Sequence, residues 1–287
     1  MKKLFLGLVI GLIGMSVVSA AETAAPVPAA TVAAKETLEA KVTKAGYQVK
    51  KVDRFLGGRR VQFMFQGELA WIVEPTGPVQ PGKWIWVMKW PGAFADGTGQ
   101  KDALARGYHY MYLDDWTHIM NDAGVKRAKD FYEFVTGPLG FQPKANLIGM
   151  SWGGFYSTRF ASSYPECVGK VYLDNPVLNF GAFNPLGWKS VKEAWKYTKK
   201  GENWKDKPSM PVNRAKPIAQ AKIPVLFMYG DKDTVVPPAD NALLFIPRFK
   251  EAGGQIEVIV RPGSNHHPHG FVDRKDWHRV VDFFEGK

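Results

Sequence analysis

The sequence predicts an α/β fold: a mostly parallel sheet entered through an N-terminal β-hairpin, with helices on both faces and a small Trp-rich cap. Three observations predict it. Short apolar runs alternate with segments of helical period from Trp84 to the C-terminus. Near the start, Arg60 to Phe65 and Leu69 to Val73 flank Gln66-Gly67, as the strands of a hairpin flank a tight turn. In the middle, the apolar run Ala145 to Gly149 passes through Ser151 and two glycines into a helix-like stretch from Phe155 to Ser163.

The elements follow in order. Lys35 to Lys44 suits a short helix closed by Gly46, and Pro75 to Gly82 is a Pro/Gly connection. Trp84 to Lys89 is a strand, followed by the loop Trp90-Pro91-Gly92-Ala93-Phe94. Asp102 to Arg106 fits a helix closed by Gly107, and Tyr108 to Leu113 a strand. Asp122 to Thr136 is a helix, with Ala128, Phe131, Tyr132 and Val135 on one face. Lys170 to Leu173 is the strand after the Ser151 turn. From Asn175 to Lys222 the alternation stops, and a Pro-, Lys- and Trp-rich stretch is expected to cap the sheet. Ile223 to Tyr229 and Ile256 to Val260 are strands, Ala239 to Ala252 a helix ended by Gly253-Gly254, and Asp273 to Phe284 the last helix.

Composition sets outer limits. Met1 to Ala20 has two lysines, an apolar run and a Val18-Ser19-Ala20 ending, which reads as a cleaved signal peptide and a secreted or periplasmic protein. The apolar run is short for a spanning helix, so no stable membrane insertion is expected after cleavage. Residues 21–34 are rich in Ala, Pro and Thr and read as a disordered leader. That leaves 35–287 as a single domain with 175–222 as its cap. Cys167 is the only cysteine, so an internal disulfide is excluded and a buried structural thiol is expected. The formal charge of +11 falls to +9 without Lys2 and Lys3. The basic residues are scattered and no nucleic-acid motif accompanies them, so a solvated basic surface is expected and a nucleic-acid partner is not.

The chemistry is concentrated in three loops. Gly149-Met150-Ser151-Trp152-Gly153 has the Gly-x-Ser-x-Gly spacing of a nucleophile elbow, in the strand–turn–helix context the motif requires. Glycines two residues to either side suit a crowded turn, and a helix starting beside the serine points free N–H groups at developing negative charge. A serine needs a base and a group to orient that base. Gly230-Asp231-Lys232-Asp233 follows one strand, and Asn265-His266-His267-Pro268-His269-Gly270 follows the next. Both lie on the rim where open α/β sheets bind ligands. Asp233 is the expected acid, with Asp231 shaping the turn through local hydrogen bonds. Asp174, also after a strand, is an alternative acid.

His266 is the expected base, with His267 and His269 as structural neighbours or alternatives. Three histidines in one loop also raise a metal site. No carboxylate or cysteine belongs to that run, and Asp273 is expected to cap the last helix, so no metal and no cofactor are expected. Activity should then survive a chelator. Expected oxyanion donors are the Trp152 N–H and one from Gly92 or Ala93, since Pro91 has none. In the cap, Phe180, Phe183, Trp188, Trp195, Tyr197 and Trp204 cluster among lysines; Trp188, Trp195 and Trp204 are expected to help bind substrate, against the simpler reading that they pack the cap.

These residues together resemble the α/β-hydrolase superfamily: Gly149 to Gly154, Tyr172-Leu173-Asp174-Asn175-Pro176-Val177, Gly230-Asp231-Lys232-Asp233 with Val236-Pro237, and His266-His267-Pro268-His269-Gly270. The resemblance runs from about Arg54 to the C-terminus. Within the superfamily they resemble exported bacterial hydrolases grouped with carbohydrate esterases. The resemblance implies an α/β-hydrolase fold, a Ser151–His266–Asp233 triad and no cofactor. The chain departs from it just after the third strand, where Trp90-Pro91 stand in place of an arginine. The resulting expectation is a secreted serine esterase that removes short acyl groups from small or glycan esters through an acyl-enzyme. A serine peptidase of the same fold is the alternative among enzymes, and a catalytically inactive glycan-binding module the alternative outside them.

Overall fold

The structure, a computed structural model, describes residues 36–180, 189–196 and 204–287. The expected signal peptide, the leader, and Phe183, Trp188 and Tyr197 of the cap lie outside these residues.

Three antiparallel strands open the sheet: β1 (Val49–Phe55), β2 (Gly58–Phe65) and β3 (Glu68–Val73). Gln66 and Gly67 have φ of 49° and 86°, so both central residues of the expected hairpin turn are left-handed. That is the turn whose twist matches the flanking strands. β1 was not expected. Its Lys50, Lys51, Asp53 and Arg54 obscure the alternation, because it is the edge of the sheet and its charges face water. Asp53 grips Arg60 of β2 in a two-pronged ion pair at 2.7 and 2.8 Å, which fixes the register there.

The parallel strands are β4 (Trp84–Val87), β5 (His109–Leu113), β6 (Ala145–Met150), β7 (Val168–Asp174), β8 (Val225–Gly230) and β9 (Ile256–Arg261). Among the described residues the sheet runs β1-β2-β3-β5-β4-β6-β7-β8-β9. β5 lies on one side of β4 and β6 on the other. The strand order therefore reverses at β4, and the loops leaving β4 and β6 diverge to open a crevice at their C-terminal ends.

The helices are α1 (Leu38–Lys44), α2 (Gln100–Ala105), α3 (Asp122–Thr136), α4 (Trp152–Ser163), α5 (Lys189–Trp195), α6 (Ala215–Gln220), α7 (Ala242–Glu251) and α8 (Arg279–Glu285). Two clusters of buried side chains show that both faces of the sheet are covered. Trp84 and Trp86 pack with Phe131 of α3, Phe160 of α4, Ile218 of α6 and Phe245 of α7. The intervening Ile85 and Val87 pack with Leu104 of α2 and with Val280 and Val281 of α8. Alternate residues of one strand thus serve opposite cores, which is why β4 reads as a continuous apolar run. α3 spans its expected bounds, its first turn capped by the Asn121 side chain, which accepts from the Gly124 N–H at 3.0 Å.

The last helix differs from expectation. Arg274–Asp276 form a 3-10 turn, and α8 starts at Arg279. Trp277, at the join, packs on the second cluster. Asp273 makes no side-chain cap bond, so it does not cap this helix. Cys167 is buried, as expected, and burial pushes its thiol up to about 11. No helix among the described residues is long and apolar enough to cross a membrane.

Candidate active site

The turn between β6 and α4 sets the site. Ser151 has φ 50° and ψ −119°, a conformation that costs a non-glycine residue about 1–3 kcal/mol. The surroundings hold it there. The Ser151 N–H donates to the Asp174 carbonyl, and the Ser151 carbonyl accepts from the N–H groups of Gly154 and Val177, each at 2.9 Å. The glycines are needed for close approach. A Cβ on Gly149 would lie 2.7 Å from the Gly153 carbonyl oxygen, and one on Gly154 2.2 Å from the Pro176 Cβ. Gly153 is less crowded, with the Lys89 nitrogen 3.2 Å from the same position.

The other two expected residues come to Ser151 from the ends of β8 and β9. His266 Nε2 lies 3.0 Å from Ser151 Oγ, and His266 Nδ1 lies 2.7 Å from Asp233 Oδ2. The second carboxylate oxygen of Asp233 accepts the N–H groups of Val235 and Val236 at 2.9 and 2.8 Å, which fixes the plane of the carboxylate. Both side chains are buried. Asp231 points elsewhere: its side chain accepts the Gly263 N–H at 2.7 Å, so it ties its turn to the one after β9 instead of bonding within its own turn as expected.

Asp174, the alternative acid, and two residues that the sequence reading gave no role, Asn175 and Arg261, hold the histidine loop. Asn175, buried and with φ 41°, donates to the His266 carbonyl at 2.8 Å and accepts the Gly230 N–H at 2.7 Å. It ties the exits of β7 and β8 to the base. Asp174 is fully buried and binds Arg261 Nη2 at 2.9 Å, the Tyr172 hydroxyl at 3.1 Å and the Gly270 N–H. It does not reach His266. Burial alone would raise the Asp174 carboxyl, but His269, Arg261 and the Gly270 N–H hold it below the usual carboxylate range. Arg261 in turn donates to the carbonyls of Pro268 and Gly270. Asp174-Asn175-Pro176 at a strand end was the available signal; Arg261, the last residue of an apolar strand, gave none.

Lys89 was also unmarked. It is buried at the end of β4, 3.2 Å from Asp114, with its ammonium over the rings of Trp116 at 4.3 Å and Tyr156 at 4.8 Å. Burial lowers its amine to about 8, against the opposing pull of Asp114.

The expected oxyanion donors divide. Trp152 follows the serine and begins α4. The Gly92 N–H already donates to Gln100 Oε1 at 2.9 Å, and the Ala93 N–H to the Trp90 carbonyl at 3.1 Å. Left-handed φ values at Trp90 (59°) and Gly92 (79°) curl this loop onto itself and turn both amides inward, so neither serves as expected.

A cavity of about 500 Å³ opens beside Ser151, lined among the described residues mainly by apolar side chains: Trp90, Phe94, Met150, Trp152, Val177 and Val235. Trp195 and Trp204 are not among them. Trp195 meets Phe155 and Phe180 edge-on at 5.5 and 5.2 Å and donates its indole N–H to the Ile119 carbonyl. Trp204 is buried against Phe180. Both pack the cap onto α4 rather than line this cavity; large aromatic area is better buried there than left in water. Trp188 lies outside the described residues. The aromatic walls of the cavity are instead Trp90, Phe94 and Trp152.

Comparison with known proteins places this geometry. Acylamino-acid-releasing enzymes from Arabidopsis thaliana and Rattus norvegicus are 26% and 29% identical over 135 and 128 residues, which is 43% and 42% of this chain and 17% of each enzyme. The chain thus matches less than a fifth of those relatives' length. An acylaminoacyl peptidase from Pyrococcus horikoshii superposes with a TM-score of 0.59 at 14% identity, over 87% of this chain and 43% of that one. Dipeptidyl peptidase 4 from Porphyromonas gingivalis gives 0.59 at 14% identity, over 87% and 37%. At such identity these two likenesses establish the α/β-hydrolase fold alone. The expected carbohydrate-esterase function is overturned by the sequence comparisons, which point to peptidases. Residues 110–287, more than half of the chain, match the model of the prolyl oligopeptidase family, peptidase family S9, and the chain belongs to that family of serine hydrolases.

Proposed function

We propose that the chain is a serine peptidase that hydrolyses the peptide bond on the carbonyl side of N-acylated, apolar amino-acid residues. The observation that carries the reading is the unbroken line from Ser151 Oγ through His266 to Asp233, at 3.0 and 2.7 Å, in a chain of this family. In this mechanism His266 Nε2 takes the proton from Ser151 as its oxygen attacks the carbonyl. Asp233 holds the proton on Nδ1 and steadies the imidazolium that forms. His266 then returns the proton to the leaving amine, and water releases the acyl group by the same steps in reverse. The oxyanion faces the Trp152 N–H at the start of α4 and the N–H of Trp90, which makes no hydrogen bond among the described residues.

The acyl preference is supported by the curated relatives, which are acylamino-acid-releasing enzymes, and by the apolar cavity beside Ser151. The Met1 to Ala20 run supports action outside the cytoplasm. The test is an amide and an ester of the same acyl group, such as the p-nitroanilide and the p-nitrophenyl ester of N-acetylphenylalanine. Both are expected to be cleaved, with Ser151→Ala lowering kcat on the order of a millionfold. Ester cleavage with no cleavage of the anilide or of any blocked peptide would remove the peptidase reading.

A further inference from the structure

The mechanism uses one of three histidines in its loop, and the arrangement of the other two is unusual. The rings of His266, His267 and His269 lie 4.7, 4.8 and 5.0 Å apart, centre to centre. Their planes meet at 70°, 82° and 85°, so the three face one another around a common corner. Each can bring one ring nitrogen within 4.8 Å of a nitrogen on both others. His269 is only 4% exposed; its Nδ1 is paired with Asp174, and its Nε2 makes no hydrogen bond among the described residues. A buried ring nitrogen left unsatisfied is costly unless something else binds it. His267 is exposed and stacks on Phe94 at 5.6 Å, which leaves a path to the corner from solvent.

Two of the three rings are also backed by carboxylates. His266 Nδ1 faces Asp233 at 2.7 Å, and His269 Nδ1 faces Asp174 Oδ1 at 3.4 Å. In both, Nε2 is the nitrogen left on the far side of the ring. A carboxylate behind Nδ1 is what orients and strengthens metal-binding imidazoles. Ligating imidazoles must be neutral.

We propose that His266, His267 and His269 bind one zinc-type divalent cation, and that its binding switches the enzyme off. Three imidazoles with a fourth position open to the cavity suit Zn²⁺, Cu²⁺ or Ni²⁺; calcium and magnesium prefer oxygen. Tetrahedral zinc sets its nitrogens roughly 3.4 Å apart, so the rings close by about an ångström, chiefly through the exposed His267. The inhibitory half rests on the reading of His266 as the base. Its Nε2 is the atom 3.0 Å from Ser151 Oγ, and a cation there occupies the lone pair that would accept the serine proton. Only coordination is involved, so removal of the metal restores the enzyme.

The test uses chelator-treated full-length protein. Zn²⁺ binding is measured by calorimetry on wild type, Ser151→Ala and His267→Asn, and inhibition on wild type and His267→Asn, each against its own zinc-free rate. One zinc ion is expected to bind wild type and Ser151→Ala, and to inhibit wild type over the same concentration range. EDTA is expected to reverse inhibition and not to lower activity by itself, and Mg²⁺ to have no effect. His267→Asn should weaken both binding and inhibition at least tenfold. Equal zinc affinity in wild type and His267→Asn, or no binding, overturns the site and leaves the role of His266 untouched. Tight binding to Ser151→Ala with a fully active zinc-loaded wild type overturns the inhibition, and with it His266 as the base.

Discussion

Two histidines of the loop after β9, three residues apart, each face a carboxylate from another strand end, His266 facing Asp233 and His269 facing Asp174, and only the first meets the serine. In the first, Asp233 gives one oxygen wholly to His266 at 2.7 Å and steadies the other on two backbone amides. In the second, Asp174 shares its oxygens among Arg261, the Tyr172 hydroxyl and the Gly270 N–H, and His269 stands 3.4 Å away. The first carboxylate has little to do except orient an imidazole. The second is a brace that holds the loop to β7 and β9, and its charge is already matched by a guanidinium. Proximity of a histidine to an aspartate is therefore not what makes a catalytic pair. What counts is how the carboxylate's lone pairs are divided, and what stands at the far ring nitrogen.

Substitution of the two carboxylates should separate the roles. Asp233→Asn presents an amide to His266 Nδ1 and favours the wrong tautomer, so kcat should fall on the order of ten-thousandfold. The melting temperature should hardly move. A kcat within tenfold of wild type would show that Asp233 is not the orienting group.

Asp174→Asn should do the reverse. It leaves Arg261 without its carboxylate in a buried setting, which costs about 3–5 kcal/mol of stability. The protein that remains folded should keep its rate within roughly tenfold. The pH dependence has a definite sign. The Asp174 carboxyl is held below its ordinary range, so its contribution is complete above the unfolded value of about 3.9 and is lost as pH falls through the lower folded value. The stability gap between wild type and Asp174→Asn, measured by urea unfolding, should be constant from pH 5 to 8 and shrink below about pH 4. A gap that widens in acid would contradict the brace.

Much of this was legible in the residues. Apolar runs and helical period place the parallel strands and α3, and Ser151, Asp233 and His266, picked out in three post-strand loops, do lie with His266 within hydrogen-bond distance of the other two. Other features were hidden for physical reasons. β1 is an edge strand, and charges suited to solvent mask its alternation. Gly92 and Ala93 looked like donors, but the direction of an amide is set by φ at Trp90 and Gly92, which residue types do not state. Trp195 and Trp204 are as apolar as any cavity wall, and composition does not tell a packed aromatic from one that meets substrate. Asn175 and Arg261 act through contacts far apart in sequence, Asn175 to Gly230 and His266 and Arg261 to Asp174. The substrate class was misread for a related reason: the triad is common to esterases and peptidases, and the cap's lysines and tryptophans do not distinguish sugar from peptide.

The smallest expected effect belongs to Asp231, and it tests the choice between two aspartates two residues apart. Both follow β8, and either could have been the acid on spacing alone. Asp231 is exposed, and among the described residues its side chain makes one hydrogen bond, to the exposed Gly263 N–H at 2.7 Å. Loss of that bond lets water take the amide, so Asp231→Ala should cost about 0.5–1.5 kcal/mol, nearer the lower figure. The turn it closes joins the loops that carry Asp233 and His266, so slackness there could reach the site only through geometry. Geometry is otherwise secured: the Asp233 carboxylate by Val235 and Val236, and the His266 carbonyl by Asn175. With those contacts intact, kcat/KM for an N-acylated anilide should stay within about twofold, the melting temperature falling slightly, as for most exposed substitutions. A hundredfold loss in kcat with an unchanged melting temperature would mean that Asp231 takes part in the chemistry, and that the division of labour between the carboxylates is drawn in the wrong place.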